Sequence, residues 1–231
     1  MGKKYHTLLW DLDNTLLDFD AAAELSFMDM MKIYGLPADT AHYQLYQEIN
    51  HSLWNNLENG QLKQDQIKWK RWEMYFDRIS TFRDPNEANQ QFFKGLAKHP
   101  VEVKGARSLL KDLQKDFEMC LITNGIGEIQ RQRLKRSGFD AFFKALIISD
   151  EIGHAKPNKA FFDHTFQELE APDKSSTLVI GDNLGSDIRG GNDYGVSTCW
   201  YNEKGKEAYA GIEAKYEISD LEEFMQVLFH E

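Results

Sequence analysis

Residues 7–17 read TLLWDLDNTLL, an apolar run that ends at Asp11 and Asp13. A short apolar run between polar residues is typical of a buried strand in a parallel sheet. The carboxyl ends of such strands are where open α/β sheets bind ligands. Two carboxylates buried there are costly unless a divalent cation compensates them, and the first acid is then free to attack an electrophile. The alternative is a plain strand end followed by an Asp-Asn turn, and this stretch alone leaves both interpretations open.

The composition argues against several classes of protein. The chain has 231 residues, of which 42% are hydrophobic and 28% charged, as in a globular protein with a substantial core. Its formal net charge of −10 argues against a nucleic-acid polymer or an anionic membrane as the partner, but it permits a small anionic substrate. No apolar run approaches the roughly 18 residues of a membrane span. The two cysteines, Cys120 and Cys199, lie in apolar runs, so we expect reduced thiols and a cytoplasmic location.

The pattern of apolar residues divides the chain into two domains. Residues 18–99 contain four segments with a helical period and no strand pattern, which predicts a small helical bundle. Elsewhere, strand candidates alternate with helical stretches, which predicts a parallel sheet. The candidates after the bundle are residues 119–123, 145–149, 177–181, 197–201 and a short one near 215–218. We therefore predict an α/β fold whose Rossmann-like parallel-sheet core comprises residues 1–17 and 100–231, with a four-helix cap domain inserted at 18–99. Because the insert begins just after Asp11 and Asp13, we expect its hinge beside the acids, where a cap can close over a substrate.

Two further segments carry groups suited to binding an anion. Thr123, Asn124 and Gly125 follow a strand candidate, and a hydroxyl followed by a glycine turn offers an O–H and backbone N–H groups to a phosphate. Thr-Asn-Gly is also a common turn, so this motif alone leaves both interpretations open. Lys156 lies just ahead of an Asn-capped helix, where it can project over a strand end and neutralise a phosphate, although most lysines are simply solvated.

Another strand candidate ends in a second pair of acids. Residues 179–188 read VIGDNLGSDI, in which Asp182 and Asp187 follow a buried strand and glycines allow a tight bend. With Asp11 and Asp13, these acids put four carboxylates at the ends of two strands, and such a group needs a cation. Oxygen ligands without a nearby histidine or thiolate suit Mg²⁺, which is therefore the predicted cofactor.

Taken in order, these motifs resemble those of one enzyme family. Asp-x-Asp-x-Thr, a strand-end Thr123, Lys156-Pro157 and Gly-Asp-x4-Asp are similar to the four motifs of the haloacid dehalogenase-like phosphatases, over nearly the whole chain. The helical insert matches that family's cap, which follows the first motif. The runs at residues 181–187, 190–192 and 198–202 resemble one branch, the noncanonical pyrimidine nucleotidases.

The resemblance implies a role for each acid. Asp11 is then the nucleophile that forms an aspartyl-phosphate. Asp13 is the general acid for the leaving oxygen and afterwards the base for the hydrolytic water, and its backbone carbonyl is a metal ligand. Asp182 ligates Mg²⁺ directly, and Asp187 holds it directly or through water. Asp11, Asp13, Asp182 and Asp187 are therefore the expected metal ligands.

The same resemblance makes Thr123 and Lys156 the residues that hold the transferring phosphoryl group. With Asn124 and Gly125 of the glycine turn, they form the expected substrate-binding set. The metal, the lysine and backbone N–H groups provide the charge neutralisation that phosphoryl transfer needs.

The expected activity is that of a Mg²⁺-dependent phosphomonoester hydrolase, with pyrimidine nucleoside 5′-monophosphates as favoured substrates. In the family that the motifs resemble, true dehalogenases lack an acid at the position of Asp13, because a halide leaves without a proton. The acid at this position therefore favours a phosphate ester as substrate. Alternatives are a phosphatase of another small metabolite, such as phosphoglycolate or a sugar phosphate, and a phosphomutase, which forms an isomer instead of releasing phosphate. A non-enzymatic receiver-like signalling module is a remote alternative. Receivers have about 120 residues and carry the phosphorylated aspartate on an interior strand, whereas Asp11 follows the first strand of this longer chain.

Other notable residues have structural interpretations. Trp69, Trp72, Tyr75 and Phe76 recur at helical spacing, which predicts the core of the bundle. Arg71, or Lys70 beside it, could meet a substrate from the cap, but a solvated face is the favoured interpretation. The basic run at residues 131–136 is predicted to be an exposed helix face.

Overall fold

The computed structural model describes residues 3–208 and 211–229. The chain forms two compact units, one built from the chain up to Asp18 and from Glu102 onward, and the other from Phe19–Val101. The strands of the first unit are β1 (Thr7–Trp10), β2 (Glu118–Thr123), β3 (Ala145–Ile148), β4 (Thr177–Gly181), β5 (Ser197–Tyr201) and β6 (Tyr216–Ile218). They form one parallel sheet in the order β3-β2-β1-β4-β5-β6.

The helices fall into two groups along the chain. The second unit contains α1 (Phe19–Tyr34), α2 (Thr40–Glu58), α3 (Gln64–Arg78) and α4 (Pro85–Lys98). The first unit contains α5 (Ala106–Leu113), α6 (Gly127–Ser137), α7 (Ser149–Ile152), α8 (Lys159–Glu168), α9 (Arg189–Tyr194) and α10 (Phe224–Phe229). This architecture confirms the predicted α/β fold with an inserted four-helix segment. Among the described residues, no helix combines the length and the apolar composition needed to cross a bilayer.

Apolar side chains on both faces explain why the sheet is parallel and buried. Successive residues of a strand point to opposite faces, so Leu8 and Trp10 pack on one side and Leu9 on the other. The first face is covered by side chains that include Leu110 of α5, and the second by side chains that include Phe161 of α8. A sheet covered on both faces needs strands that are apolar throughout, as the sequence of β1 is.

The register of the sheet positions the candidate site. Trp10, the last residue of β1, pairs with Leu121 of β2 and with Ile180 of β4. Because the strands are parallel, the segments after β1, β2 and β4 all emerge at the same edge. The strand order reverses between β1 and β4, and such a switch point opens a crevice at the carboxyl edge of an α/β sheet.

The four-helix unit packs around aromatic side chains. Trp72, Tyr75 and Phe76 are buried as predicted, and the ring of Trp72 stacks on that of Tyr46 with 5.2 Å between centroids. Trp69, in contrast, is exposed, so its predicted place in the core is wrong. An amphipathic helix buries only one stripe of its surface, and Trp69 lies outside the buried stripe of α3 although it is three residues from Trp72.

Arg71 is buried within this unit, so the predicted solvated face for its side chain is wrong. Its guanidinium donates hydrogen bonds to the amide oxygens of Asn50 at 3.2 Å and Asn89 at 3.0 Å. It also lies against the rings of Trp72 and Phe92. Burial lowers the pKa of Arg71 from its ordinary value, and the hydrogen bonds and aromatic faces compensate the buried charge.

Candidate active site

The segment after β1 turns back sharply and buries its first acid. The backbone N–H of Asp11 donates to the carbonyl of Ile180 at 2.8 Å, which extends the pairing with β4 by one residue. Asn14 adopts a φ of 59°, a left-handed conformation that asparagine tolerates better than most residues. Thr15, which is fully buried, donates from its hydroxyl to Oδ2 of Asp11 at 3.2 Å. The turn therefore holds the Asp11 carboxylate at the edge of the sheet.

Lys156 is the cation at the centre of the site. Its Nζ donates to Oδ1 of Asp11 at 2.7 Å and to the carbonyl of Ile122 at 2.8 Å, and its side chain is only 1% exposed. The same Nζ lies 2.7 Å from Oδ1 of Asp187. The ammonium group, which has three protons and no acceptor, thus makes two hydrogen bonds and one further ion pair.

Asn124 fixes the backbone of Lys156. Its Nδ2 donates to the Lys156 carbonyl and its Oδ1 accepts from the Lys156 N–H, both at 2.8 Å. Two hydrogen bonds from one planar amide define the position of that residue, 32 positions further along the chain. The predicted substrate-binding role of Asn124 stays a prediction.

Three acids from two strand ends come together beside this lysine. Carboxylate oxygens of Asp11, Asp182 and Asp187 all lie within 4.8 Å of one another. Asp187 approaches β4 closely, since a methyl group on Gly181 would lie 2.2 Å from its Oδ2. Only a glycine leaves room for the carboxylate there. The Asp13 side chain does not belong to this cluster among the described residues.

The geometry suits a hard divalent cation. Oδ1 of Asp187 is buried and makes no hydrogen bond of good geometry, despite its ion pair with Lys156. Carboxylate oxygens are the ligands that Mg²⁺ prefers. The three carboxylates surround one buried ammonium group, that of Lys156. A second ammonium group, that of the half-exposed Lys206, lies 3.3 Å from Oδ2 of Asp182, so the negative charges still outnumber the positive ones. The donor set therefore fits a bound metal ion.

Burial and charge shift the titration of the central pair. Burial raises the pKa of Asp11 well above its ordinary value, Lys156 opposes this shift, and the neighbouring Asp187 and Asp182 reinforce it. For Lys156, burial alone lowers the pKa, but the adjacent carboxylates of Asp11 and Asp187 outweigh burial and raise it. The lysine is thus charged at neutral pH, and a cation beside Asp11 favours its ionised form.

Thr123 and Asp13 are linked by a residue that the sequence analysis did not single out. Nε2 of Gln130 donates to Oδ2 of Asp13 at 2.6 Å and to Oγ1 of Thr123 at 2.9 Å. The backbone N–H of Gly125 also donates to Oγ1 of Thr123, at 3.0 Å. Arg133 donates from Nη1 to Oδ1 of Asp13. Its side chain is 1% exposed, so the predicted exposed face for residues 131–136 is wrong at this position.

A helical period was the signal that could have identified Arg133. Gln130, Arg133, Leu134 and Ser137 are buried members of α6 at spacings of three, four and seven residues. This is the stripe that an amphipathic helix turns toward a core. The cationic residues on both sides of Arg133 obscure this stripe, because they favour a solvated face for the whole run. Thr15, Lys206 and Gln130 are the other site residues that the sequence analysis did not assign.

Known proteins share both the sequence and the fold of this chain. The sequence profile of the haloacid dehalogenase-like hydrolase family matches residues 8–201. The pyrimidine 5′-nucleotidase YjjG of Escherichia coli (strain K12) is 34% identical over 97% of this chain and 98% of its own length. The pyrimidine 5′-nucleotidase PynA of Streptococcus pneumoniae (strain R6) is 32% identical over 97% and 95%. The crystal structure of YfnB of Bacillus subtilis bound to magnesium aligns with a TM-score of 0.93 at 33% identity, covering 98% of this chain and 100% of that one.

Proposed function

Because this chain belongs to the haloacid dehalogenase-like hydrolase family, we propose that it is a Mg²⁺-dependent phosphatase that hydrolyses pyrimidine nucleoside 5′-monophosphates through an aspartyl-phosphate. The observation that carries this proposal is the contact of the buried Lys156 ammonium with both Asp11 and Asp187, beside Asp182. A lone buried carboxylate is a poor structural element, but a carboxylate held next to a lysine and a cation site is suited to receive a phosphoryl group.

In the first step, a carboxylate oxygen of Asp11 attacks the phosphorus atom. A bond forms between that oxygen and phosphorus while the bond from phosphorus to the 5′-oxygen of the nucleoside breaks. Asp13 gives its proton to the departing oxygen, so the nucleoside leaves as a neutral alcohol. Lys156 and the Thr123 hydroxyl hold the phosphoryl oxygens during the transfer.

In the second step, a water molecule attacks the phosphorus atom of the aspartyl-phosphate. Asp13 accepts a proton from this water, the bond between phosphorus and Asp11 breaks, and inorganic phosphate leaves. The Asp11 carboxylate and the proton on Asp13 are restored. Two steps through a covalent intermediate replace one step with a higher barrier.

The side chains of Asp11, Asp182 and Asp187, with the backbone carbonyl of Asp13, are the groups that would hold Mg²⁺. The bound ion supplies charge neutralisation for the phosphoryl oxygens and favours the ionised carboxylate of Asp11. The proposed partner is a small phosphorylated metabolite and neither a nucleic-acid polymer nor a membrane, consistent with the net charge of −10. The choice of pyrimidine nucleotides rests on the two nucleotidase relatives, each aligned over nearly the full chain.

A phosphate-release screen tests the proposal directly. The purified chain is assayed with pyrimidine and purine nucleoside monophosphates, phosphoglycolate and sugar phosphates, in Mg²⁺ and in EDTA. We expect Mg²⁺-dependent release of inorganic phosphate, highest with pyrimidine nucleotides, and none from the Asp11→Asn variant. Undiminished release of phosphate in EDTA would contradict the proposal, and so would the absence of release from every ester. Formation of an isomer without free phosphate would identify a phosphomutase instead.

A further inference from the structure

The face of α6 that meets the site carries two side chains with polar contacts to Asp13. Arg133 donates from Nη1 to one carboxylate oxygen, and Gln130 donates from Nε2 to the other at 2.6 Å. Arg133 also donates from Nη1 to Oε1 of Gln130 at 3.0 Å. Each oxygen of Asp13 therefore has its own donor, and the two donor side chains are joined by a hydrogen bond.

These hydrogen bonds determine the orientation of the Gln130 amide. Its oxygen faces a guanidinium, which only donates, and its nitrogen faces two acceptors, Asp13 and Thr123. The amide nitrogen has two protons, so it serves both residues at once. Through it, Asp13 and the Thr123 hydroxyl occupy one hydrogen-bonded unit with a defined separation.

The Thr123 hydroxyl is directed by the same contacts. A hydroxyl has two acceptor positions and one donor. The oxygen accepts from the Gly125 N–H at 3.0 Å and from Gln130 at 2.9 Å, which uses both acceptor positions. The hydroxyl proton is then directed toward a third group, and a phosphoryl oxygen is an acceptor of that kind.

The Asp13 carboxylate keeps unused acceptor positions within this unit. A carboxylate offers about four acceptor positions, of which Arg133 and Gln130 use two. The Asp13 side chain is 29% exposed, so it is within reach of solvent and substrate, whereas Arg133 behind it is buried. A carboxylate on an open loop samples several rotamers, and these two donors select one.

We propose that Gln130 and Arg133 are positioning residues that hold the Asp13 carboxylate in line with the leaving oxygen and with the hydrolytic water, and that Gln130 sets its distance from Thr123. This inference rests on the proposed function of Asp13 as proton donor and acceptor. Neither residue touches the reacting atoms. Their effect comes from orientation, because displacing a catalytic group by about 1 Å costs roughly 100-fold in rate.

Gly125 supplies an independent way to perturb the same unit. A methyl group on Gly125 would lie 2.1 Å from Nε2 of Gln130, so the glycine makes room for this amide. The clashing atoms are Nε2, Cδ and Cγ of Gln130, all in a flexible side chain that can adopt another rotamer without moving the backbone. Gly125→Ala is therefore expected to displace Gln130 from Asp13 and Thr123 while the fold persists.

The leaving group of the substrate distinguishes positioning from general damage. A nucleoside leaves as an alkoxide that needs a proton, whereas p-nitrophenolate leaves without one. We expect Gln130→Met and Arg133→Met to lower kcat/KM for a nucleoside monophosphate by about 10- to 100-fold, which is part of the roughly 100- to 10,000-fold that general acid catalysis contributes. The effect on p-nitrophenyl phosphate should be several-fold at most. Arg133→Lys, which retains the cation, is expected to recover part of the loss. The matched control is Arg136→Met, an exposed arginine on the same helix, with wild-type rates for both substrates.

A double-mutant cycle with Asp13→Asn completes the test. If Gln130 and Arg133 act through Asp13, their substitution causes no further loss of nucleotide kcat/KM in that background. Equal losses for both substrates, or full additional losses with Asp13→Asn, would overturn the inference while leaving the phosphatase activity standing. If Arg133→Met does not fold, Gln130→Met and Gly125→Ala decide the question by the same two readouts. A wild-type chain without any phosphatase activity would instead refute the proposed function itself.

Discussion

Replacement of Lys156 by methionine is the perturbation that most directly tests the electrostatics of the site. The substitution retains the bulk of the side chain but removes the ammonium group that lies 2.7 Å from both Asp11 and Asp187. Two buried carboxylates then face each other without their cation. Removing one partner of a buried ion pair costs about 3–5 kcal/mol, because the remaining charge stays desolvated. For a chain of this size, that loss corresponds to a fall in Tm of roughly 6–20 °C.

Thermal unfolding in EDTA, followed by circular dichroism, measures this cost without compensation by a metal. The matched control is Lys159→Met, which removes a 74% exposed ammonium group from a surface pair with Asp163 and should change stability by about 0.5 kcal/mol or less. In an Asp11→Asn background, Lys156→Met should cost at least about 1 kcal/mol less, because one of the two buried charges is already absent. A loss below about 1 kcal/mol in the wild-type background, or an undiminished loss in Asp11→Asn, would refute the reasoning.

Three further predictions concern the nucleophile, the metal and the helical unit. Asp11→Asn should abolish phosphate release without lowering Tm in EDTA, since it neutralises one of three clustered carboxylates while Lys156 keeps its ion pair with Asp187; activity near wild type would remove Asp11 as the nucleophile. Mg²⁺ at about 100 times its dissociation constant should stabilise the wild-type chain by about 2.7 kcal/mol, measured as a rise in Tm. Asp182→Asn should lose most of this gain. An equal gain in both proteins would contradict the assignment of Asp182 as a ligand. Burial raises the pKa of Tyr46 to about 12. Between pH 10 and 12 the native state keeps this proton and the unfolded state releases it, so the free energy of unfolding should fall by up to about 3 kcal/mol. Tyr46→Phe should lack this part of the fall in denaturant titrations, and identical pH profiles would show that the phenol does not titrate as described.

Much of the fold was predictable because buried parallel strands have a strong local signature. The apolar pattern predicted a strand at residues 119–123, and the structure has Glu118–Thr123. It predicted a strand at 177–181, and the structure has Thr177–Gly181. Such strands are apolar on both faces and end at polar residues, so their positions depend on neighbouring residues in the sequence and little on distant ones.

The orientation of helix side chains was much less predictable. Arg71 and Arg133 were both expected at the surface, and both are buried with polar partners supplied by distant segments. Hydrophobic periodicity treats a cation as a solvent-facing residue. It therefore fails wherever tertiary structure provides a carboxylate, an amide oxygen or an aromatic face in the interior.

The amino-acid sequence by itself determined which chemical groups follow each strand and, through the alternation of strands and helices, that these groups emerge at one edge of a sheet. Tertiary structure alone decided how the groups are paired. Lys156 contacts Asp11 across 145 positions of sequence, and Gln130, which also contacts Thr123, reaches Asp13 across 117 positions. The reason is physical: strand formation is governed by local burial and hydrogen bonding, whereas a hydrogen bond between side chains requires a distance and an angle that exist only once the strands have paired.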